Sequence, residues 1–200
     1  MTTPRPPEAA AFLEALDSTP PATLSACVGW TAHEVTAHLA AGAAEVSRHL
    51  DPFLGGEAVP ATRSFEAREA PYRAMDDRSL RQRLDTEEHK MRMLVDQVLA
   101  SDPTAVIPWT GRQMPVAKFA PHMASELAIH RWDLAGDSPD GLLAQPKLVE
   151  HAVGVITRSC GSSISRRARR TLQVEQPTSP PGETGGEGYA NVEASPRRHR

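Results

Sequence analysis

The sequence predicts an all-α protein, an up-and-down four-helix bundle with a metal site in its core, followed by a largely disordered C-terminal tail. Three observations predict it. Apolar residues recur at helical spacing through most of the first 145 residues. The breaks between these runs fall on prolines and glycines, as at Pro20-Pro21, Gly55-Gly56 and Gly136. Finally, Glu126 and His130 stand four residues apart on one predicted helix, while His38 lies far upstream on another.

The first helix runs from Pro7 to about Asp17. Proline lacks an N–H, which the first helical position does not need, and Phe12, Leu13 and Leu16 make the apolar side. The second opens on a capping box: the Thr31 hydroxyl accepts the Glu34 amide and the Glu34 carboxylate reaches back, with Trp30 and Val35 as the hydrophobic staple. At 100° per residue, Val35, Leu39, Gly42, Val46 and Leu50 form one stripe. His38 falls within about 60° of its centre and points inward, whereas His33 belongs to the opposite face and should meet water. Residues 51–75, with Pro52, Pro60 and Pro71, read as loop mixed with short helix.

A third helix covers Asp77 to about Ala100 on a stripe of Leu80, Leu84, Met91, Leu94, Val95 and Val98. Glu87 lies close to that stripe, as a supporting group for a ligand or as a salt-bridged helix edge; His89 faces away. Residues 105–114 read as a tight turn or small hairpin. The fourth helix runs from near Pro115 to about Ala135, with Val116, Ala120, Met123, Leu127 and Leu134 inward and Gly136 as its stop.

Residues 1–145 therefore form the bundle, 146–172 an extra helix and basic run, and 173–200 a disordered tail. The extra helix, Pro146 to about Thr157, uses Leu148, Val149, Ala152, Val155 and Ile156. Arg166, Arg167, Arg169 and Arg170 make a solvated basic run, with an anionic partner as the alternative. The tail from about Gln173 is too poor in apolar residues to fold alone. A net charge of −3 over 200 residues gives no argument for nucleic acid or membrane as a partner, and no run approaches the ~18 apolar residues of a membrane span. The N-terminus lacks the pattern of a secretory signal. Two scattered cysteines, Cys27 and Cys160, make no disulfide framework, and a reducing cytoplasm is the expected compartment.

One carboxylate and two imidazoles form a divalent-metal ligand set. Glu126 and His130 project from one helical face, so a partner helix need add only His38, and three protein ligands leave a coordination position open for chemistry. Such a set is permissive toward several ions. The alternative is a weak surface pair worth ~0.2–0.5 kcal/mol beside an ordinary core histidine, with Arg131 as the partner of Glu126. His33-Glu34 followed by His38 imitates the zinc-protease motif with one residue inserted, but five residues turn the helix by about 500° and the two rings diverge by ~140°. Asp133 either orients a ligand or binds Arg131. His122 shares the polar flank and is a candidate to touch substrate. Cys27 is a reactive thiol or, more commonly, a small buried side chain.

Two stretches, Gly29-Trp-Thr-Ala-His-Glu-Val-Thr-Ala-His-Leu-Ala and Glu126-Leu-Ala-Ile-His-Arg-Trp-Asp-Leu, resemble the mycothiol-dependent maleylpyruvate isomerase N-terminal domain, in order and spacing, over about residues 8–140. That domain belongs to the DinB-like superfamily of metal-binding four-helix bundles. The resemblance implies that His38, Glu126 and His130 bind a divalent metal, usually zinc. It implies a second cofactor, mycothiol or another low-molecular-weight thiol, and an electrophilic small-molecule substrate. In the isomerase, thiolate adds to a conjugated double bond, rotation follows, and elimination releases the trans product; relatives transfer the thiol to electrophiles. The isomerase also carries a C-terminal α/β domain that helps close its active site, and residues 146–172 look like a remnant of it. The expected function is metal-dependent isomerisation or S-transfer by a monomer or homodimer; the competing class is a non-catalytic metal- or ligand-binding bundle with a regulatory role.

Overall fold

The computed structural model describes residues 4–136 and 142–154. Helix α1 (Pro7–Asp17) starts at Pro7 and buries Phe12 and Leu16. Helix α2 (Ala32–Leu54) opens on the expected box: the Glu34 amide donates to Thr31 Oγ1 at 3.3 Å, and the Thr31 amide donates to Glu34 Oε2 at 2.8 Å. Val35, Leu39, Val46 and Leu50 are buried along it. The helix continues through Pro52, into the stretch read as loop mixed with short helix, and ends at the Gly55-Gly56 break. A proline this near the end removes a single backbone bond, and Gly55 and Gly56 (φ 71°) then close the helix.

The 51–75 segment contains one well-formed helix, α3 (Phe65–Arg73), whose cap Ser64 accepts the Ala67 amide at 3.2 Å. Helix α4 (Asp77–Ser101) is capped by Asp76, whose carboxylate accepts the Ser79 amide at 3.0 Å, and it buries the expected stripe. A hairpin follows, β1 (Val106–Trp109) paired antiparallel with β2 (Arg112–Pro115), with Trp109 opposite Arg112. Its two-residue turn has positive φ at both Thr110 (47°) and Gly111 (76°), the type I′ form that matches strand twist. A β-branched residue is rare there; the Thr110 amide is held by Thr62 Oγ1 at 3.0 Å. After a 3₁₀ turn (Val116–Lys118), helix α5 (Phe119–Ala135) runs to Gly136 (φ 72°). A second 3₁₀ turn (Leu142–Ala144) precedes a last helix, α6, at 146–154.

Helix α2 lies along α4 and α1 lies along α5; α5 also touches α2, and α3 lies on α2. The core is continuous from Phe12 and Leu16 through the α2 and α4 stripes to Phe119, Met123 and Leu127. The hairpin adds Ile107, Trp109 and Met114 to it.

Three expectations need correction. His33 is half-buried, with Nε2 3.2 Å from the Arg73 carbonyl oxygen, because α3 and the start of α4 cover the face that pattern alone assigned to water. Ala120 and Leu134 on α5 are only partly buried, while His130 and Ala128 are buried. On α6, Leu148 and His151 face inward and Val149 and Ala152 are exposed. Lys147 beside them pairs with the buried Glu8 of α1 at 2.6 Å. Val155, Ile156, Cys160, the arginine run and the 173–200 tail lie outside the described residues.

Candidate metal centre

The capping box fixes the entry of α2, and His38 lies nearly two turns further on. Its ring meets Trp30 edge-on at 5.2 Å, stacks on Phe65 at 5.8 Å, and meets the His130 ring edge-on at 5.4 Å. One turn of α5 separates Glu126 from His130. Glu126 Oε2 is 3.8 Å from His38 Nε2 and 3.8 Å from His130 Nε2, and the donor atoms of all three residues lie within 4.8 Å of one another. At 3.8 Å neither contact is a hydrogen bond, so the donors converge on a gap. Edges of this size leave a point about 2.5 Å or less from every donor, and zinc bonds to nitrogen and oxygen run to about 2.0–2.2 Å. A contraction of about a few tenths of an ångström would complete the set.

Both imidazoles are held from behind. His38 Nδ1 is 2.7 Å from Glu69 Oε1, and His130 Nδ1 is 2.8 Å from Asp133 Oδ2. A carboxylate on Nδ1 fixes the proton there and leaves Nε2 as a lone pair aimed at the centre, the arrangement that supports metal-ligating histidines. Glu69 is anchored in turn: Arg73 donates to its Oε2 at 2.9 Å and to Glu34 Oε1 at 2.9 Å. The chain of contacts therefore runs from the α2 cap through Arg73 and Glu69 to His38. Arg131 takes no part, since its guanidinium donates to the Gly136 carbonyl at 2.6 Å. That leaves Asp133 to His130.

The nearby carboxylates dominate the electrostatics of the site while it holds no ion. Burial pulls the His38 pKa down, but the carboxylates of Glu126 and Glu69 outweigh it and leave the ring above its ordinary value. For Glu126, burial pushes the carboxyl up, and His38, His122 and His130 together hold it below the usual range. Burial lowers the His122 pKa, which favours the neutral ring. His122 Nδ1 lies 3.3 Å from His151 Nε2 and 3.8 Å from Glu126 Oε1.

Two recesses meet at His38 and Phe65. One, of about 230 Å³, is lined by Arg68, Arg112, His122 and Glu126 together with apolar side chains of α2, α4 and α5. The other, of about 590 Å³ and more open, is lined by Trp30, Glu66, Glu69 and Arg73. Cys27 is half-buried in the turn ahead of α2 and lines neither recess. Glu87 is buried at the edge of α4 and pairs with Arg83 at 3.0 Å, the salt-bridged alternative.

Sequence reasoning selected the three donors and named Asp133, and it missed Glu69, Arg73 and Arg68. A Glu69–Arg73 pair at i,i+4 was visible once 65–73 is taken as a helix. The contact of Glu69 with His38, 31 positions away, has no local signal.

The mycothiol maleylpyruvate isomerase N-terminal domain family matches residues 7–135. Among curated proteins, none matches. Two crystal structures match at a TM-score of 0.58: the mycothiol-dependent maleylpyruvate isomerase, at 19% identity, and a histidine-to-alanine mutant of it, at 18%. Each match covers 68% of this chain and 62% of the isomerase chain, so the likeness spans less than two thirds of that enzyme. With the bundle, the motif order and this match in agreement, the chain belongs to the mycothiol maleylpyruvate isomerase N-terminal domain family.

Proposed function

We propose that this protein is a metal- and thiol-dependent enzyme of the maleylpyruvate isomerase type, which isomerises or S-transfers to an electrophile through a metal-activated thiolate such as that of mycothiol. The observation that carries the reading is the convergence of His38, Glu126 and His130 within 4.8 Å, with each imidazole backed by a carboxylate. A divalent ion held there, zinc if the chain follows its family, would supply the positive charge that shifts a bound thiol toward thiolate. Glu69 and Asp133 hold each ring by Nδ1 and leave Nε2 facing the centre. Trp30 and Phe65 pack against the His38 ring and line the more open recess beside it. His122, favoured neutral by burial, stands in the wall of the smaller recess as a group able to hydrogen-bond the substrate there.

The two recesses support a two-reactant reaction. The larger and more open one suits the bulky thiol, and the smaller one suits the electrophile. A cytoplasmic setting would keep such a thiol reduced. One observation favours the second reading, a metal- or ligand-binding bundle without turnover: the match covers only 62% of the isomerase chain. Metal analysis and a mycothiol-consumption assay against a panel of electrophiles separate the two. The enzyme reading expects about one zinc per chain, loss of that zinc in His38→Ala, and thiol consumption that stops when the metal is stripped. Metal binding with no thiol dependence would support the binding bundle. Protein that takes up no metal would remove both.

A further inference from the structure

Helix α6 lies outside the residues 7–135 that the family matches, yet it reaches the wall of the smaller recess. It is seated by packing and by charge. Leu148 packs with Leu142 and Ala128, against Ala11 of α1 and Ala124 of α5. Lys147 Nζ lies 2.6 Å from Oε1 of the fully buried Glu8 on α1. Lifting α6 away would strip that carboxylate of its cation, and a buried charge left without a partner is costly. One turn beyond Lys147, the buried His151 brings Nε2 to 3.3 Å from Nδ1 of His122, with the ring centroids 5.4 Å apart.

His122 is therefore held through Nδ1, as His38 is by Glu69 and His130 by Asp133. The backing group differs. A carboxylate behind an imidazole raises its basicity as a metal ligand, whereas a second imidazole adds no negative charge. His122 is also not among the three donors that converge. Two neutral imidazoles can hydrogen-bond only when one gives its proton and the other accepts. Glu126 Oε1, 3.8 Å from His122 Nδ1, favours the proton on that nitrogen, so His151 Nε2 is the acceptor. The remaining nitrogen of His122, Nε2, is then unprotonated. Among the described residues it makes no hydrogen bond, and the side chain is 34% exposed where it lines the recess.

We propose that His151 is a positioning residue of the smaller recess: from α6 it accepts the Nδ1 proton of His122 and so presents His122 Nε2 to the recess as a hydrogen-bond acceptor. That wall atom selects for a ligand group that carries a hydrogen-bond donor. Its use in turnover rests on the thiol-chemistry reading above; the orientation of the ring does not. The test reads the imidazole nitrogens of the full, zinc-loaded chain by ¹⁵N NMR above neutral pH, with the His122 signals assigned by their loss in His122→Gln. Wild type should show His122 as one neutral tautomer, protonated at Nδ1. Free neutral histidine prefers the proton on Nε2, so this pattern is diagnostic by itself. His151→Phe keeps an aromatic ring on α6 but removes the acceptor, and His122 should shift toward Nε2 protonation. His151→Gln offers its amide oxygen in place of the ring nitrogen and should restore much of the wild-type pattern. A proton on Nε2 in wild type overturns the proposal. So does a tautomer that is unchanged in His151→Phe, which would assign the orientation to Glu126 and leave His151 a packing residue. Should His151→Phe not fold, the wild-type tautomer and the His151→Gln pattern decide. The two readings stay separable. A chain that shows this dependence on His151 but consumes no thiol keeps the positioning and loses the thiol chemistry. One that consumes thiol while His122 ignores His151 does the reverse.

Discussion

His38 and His130 are the same chemical group supported in different ways. Asp133 reaches His130 from one turn away on the same helix, whereas Glu69 reaches His38 from a different helix. Glu69→Gln keeps the size and removes the charge that fixes the His38 tautomer, so zinc affinity should fall by about 10–100-fold, measured by competition with a chromogenic chelator. An affinity equal to wild type would show that Glu69 does not support the ligand. The same difference explains what could be read from the sequence. Asp133 was identifiable because helical spacing alone brings it to His130, and the rival Arg131 was excluded only by its observed bond to the Gly136 carbonyl. Glu69 was not identifiable, because its position depends on how α3 docks. Arg68 was missed for the same reason.

At the scale of the element, α3 shows why its residues were hard to find. Its buried residues are Arg68, Glu69 and Tyr72, while its one large apolar side chain at the start, Phe65, is 60% exposed. A helix that turns polar groups inward has no hydrophobic period to detect, so the helices with apolar stripes were the ones placed closely. The α2 cap has consequences beyond its own turn, because Glu34 also holds Arg73 and so Glu69. Thr31→Ala should cost about 1 kcal/mol of stability in denaturant unfolding, and any accompanying loss of zinc affinity would measure how far the cap acts on the centre. Further along α2, Glu45 is fully buried. Burial pushes its carboxyl up, but Arg48 and Arg63 prevail and lower it from 4.5 to about 2. A depressed acid stabilises the fold above its unfolded pKa and loses that contribution as pH falls through the folded value. This contribution, on the order of 3 kcal/mol, should therefore disappear between about pH 4.5 and 2. In Glu45→Gln that segment of the acid-unfolding curve should flatten; an unchanged curve would remove Glu45 from the account.

For the whole molecule, the placement of the donors matters more than their number. Helix α2 packs chiefly on α4, and α5 packs chiefly on α1, while the contact between α2 and α5 is smaller. His38 belongs to the first pair, and Glu126 and His130 belong to the second. An ion bound by all three would tie the two pairs together across that smaller contact, so metal binding should appear as global stability. A ligand that binds only the folded chain stabilises it by about 4 kcal/mol when present at a thousandfold excess over its dissociation constant. For a chain of this size that corresponds to a rise in melting temperature of roughly 10 °C. Scanning calorimetry with zinc, and again after chelation, should show a shift of that order in wild type and little in His38→Ala. Glu69→Gln should fall between them at fixed zinc, because it weakens the site without removing a donor. A melting temperature indifferent to zinc in wild type, or an equal response in His38→Ala, would mean that these three side chains do not bind an ion together, and the proposed chemistry would lose its foundation.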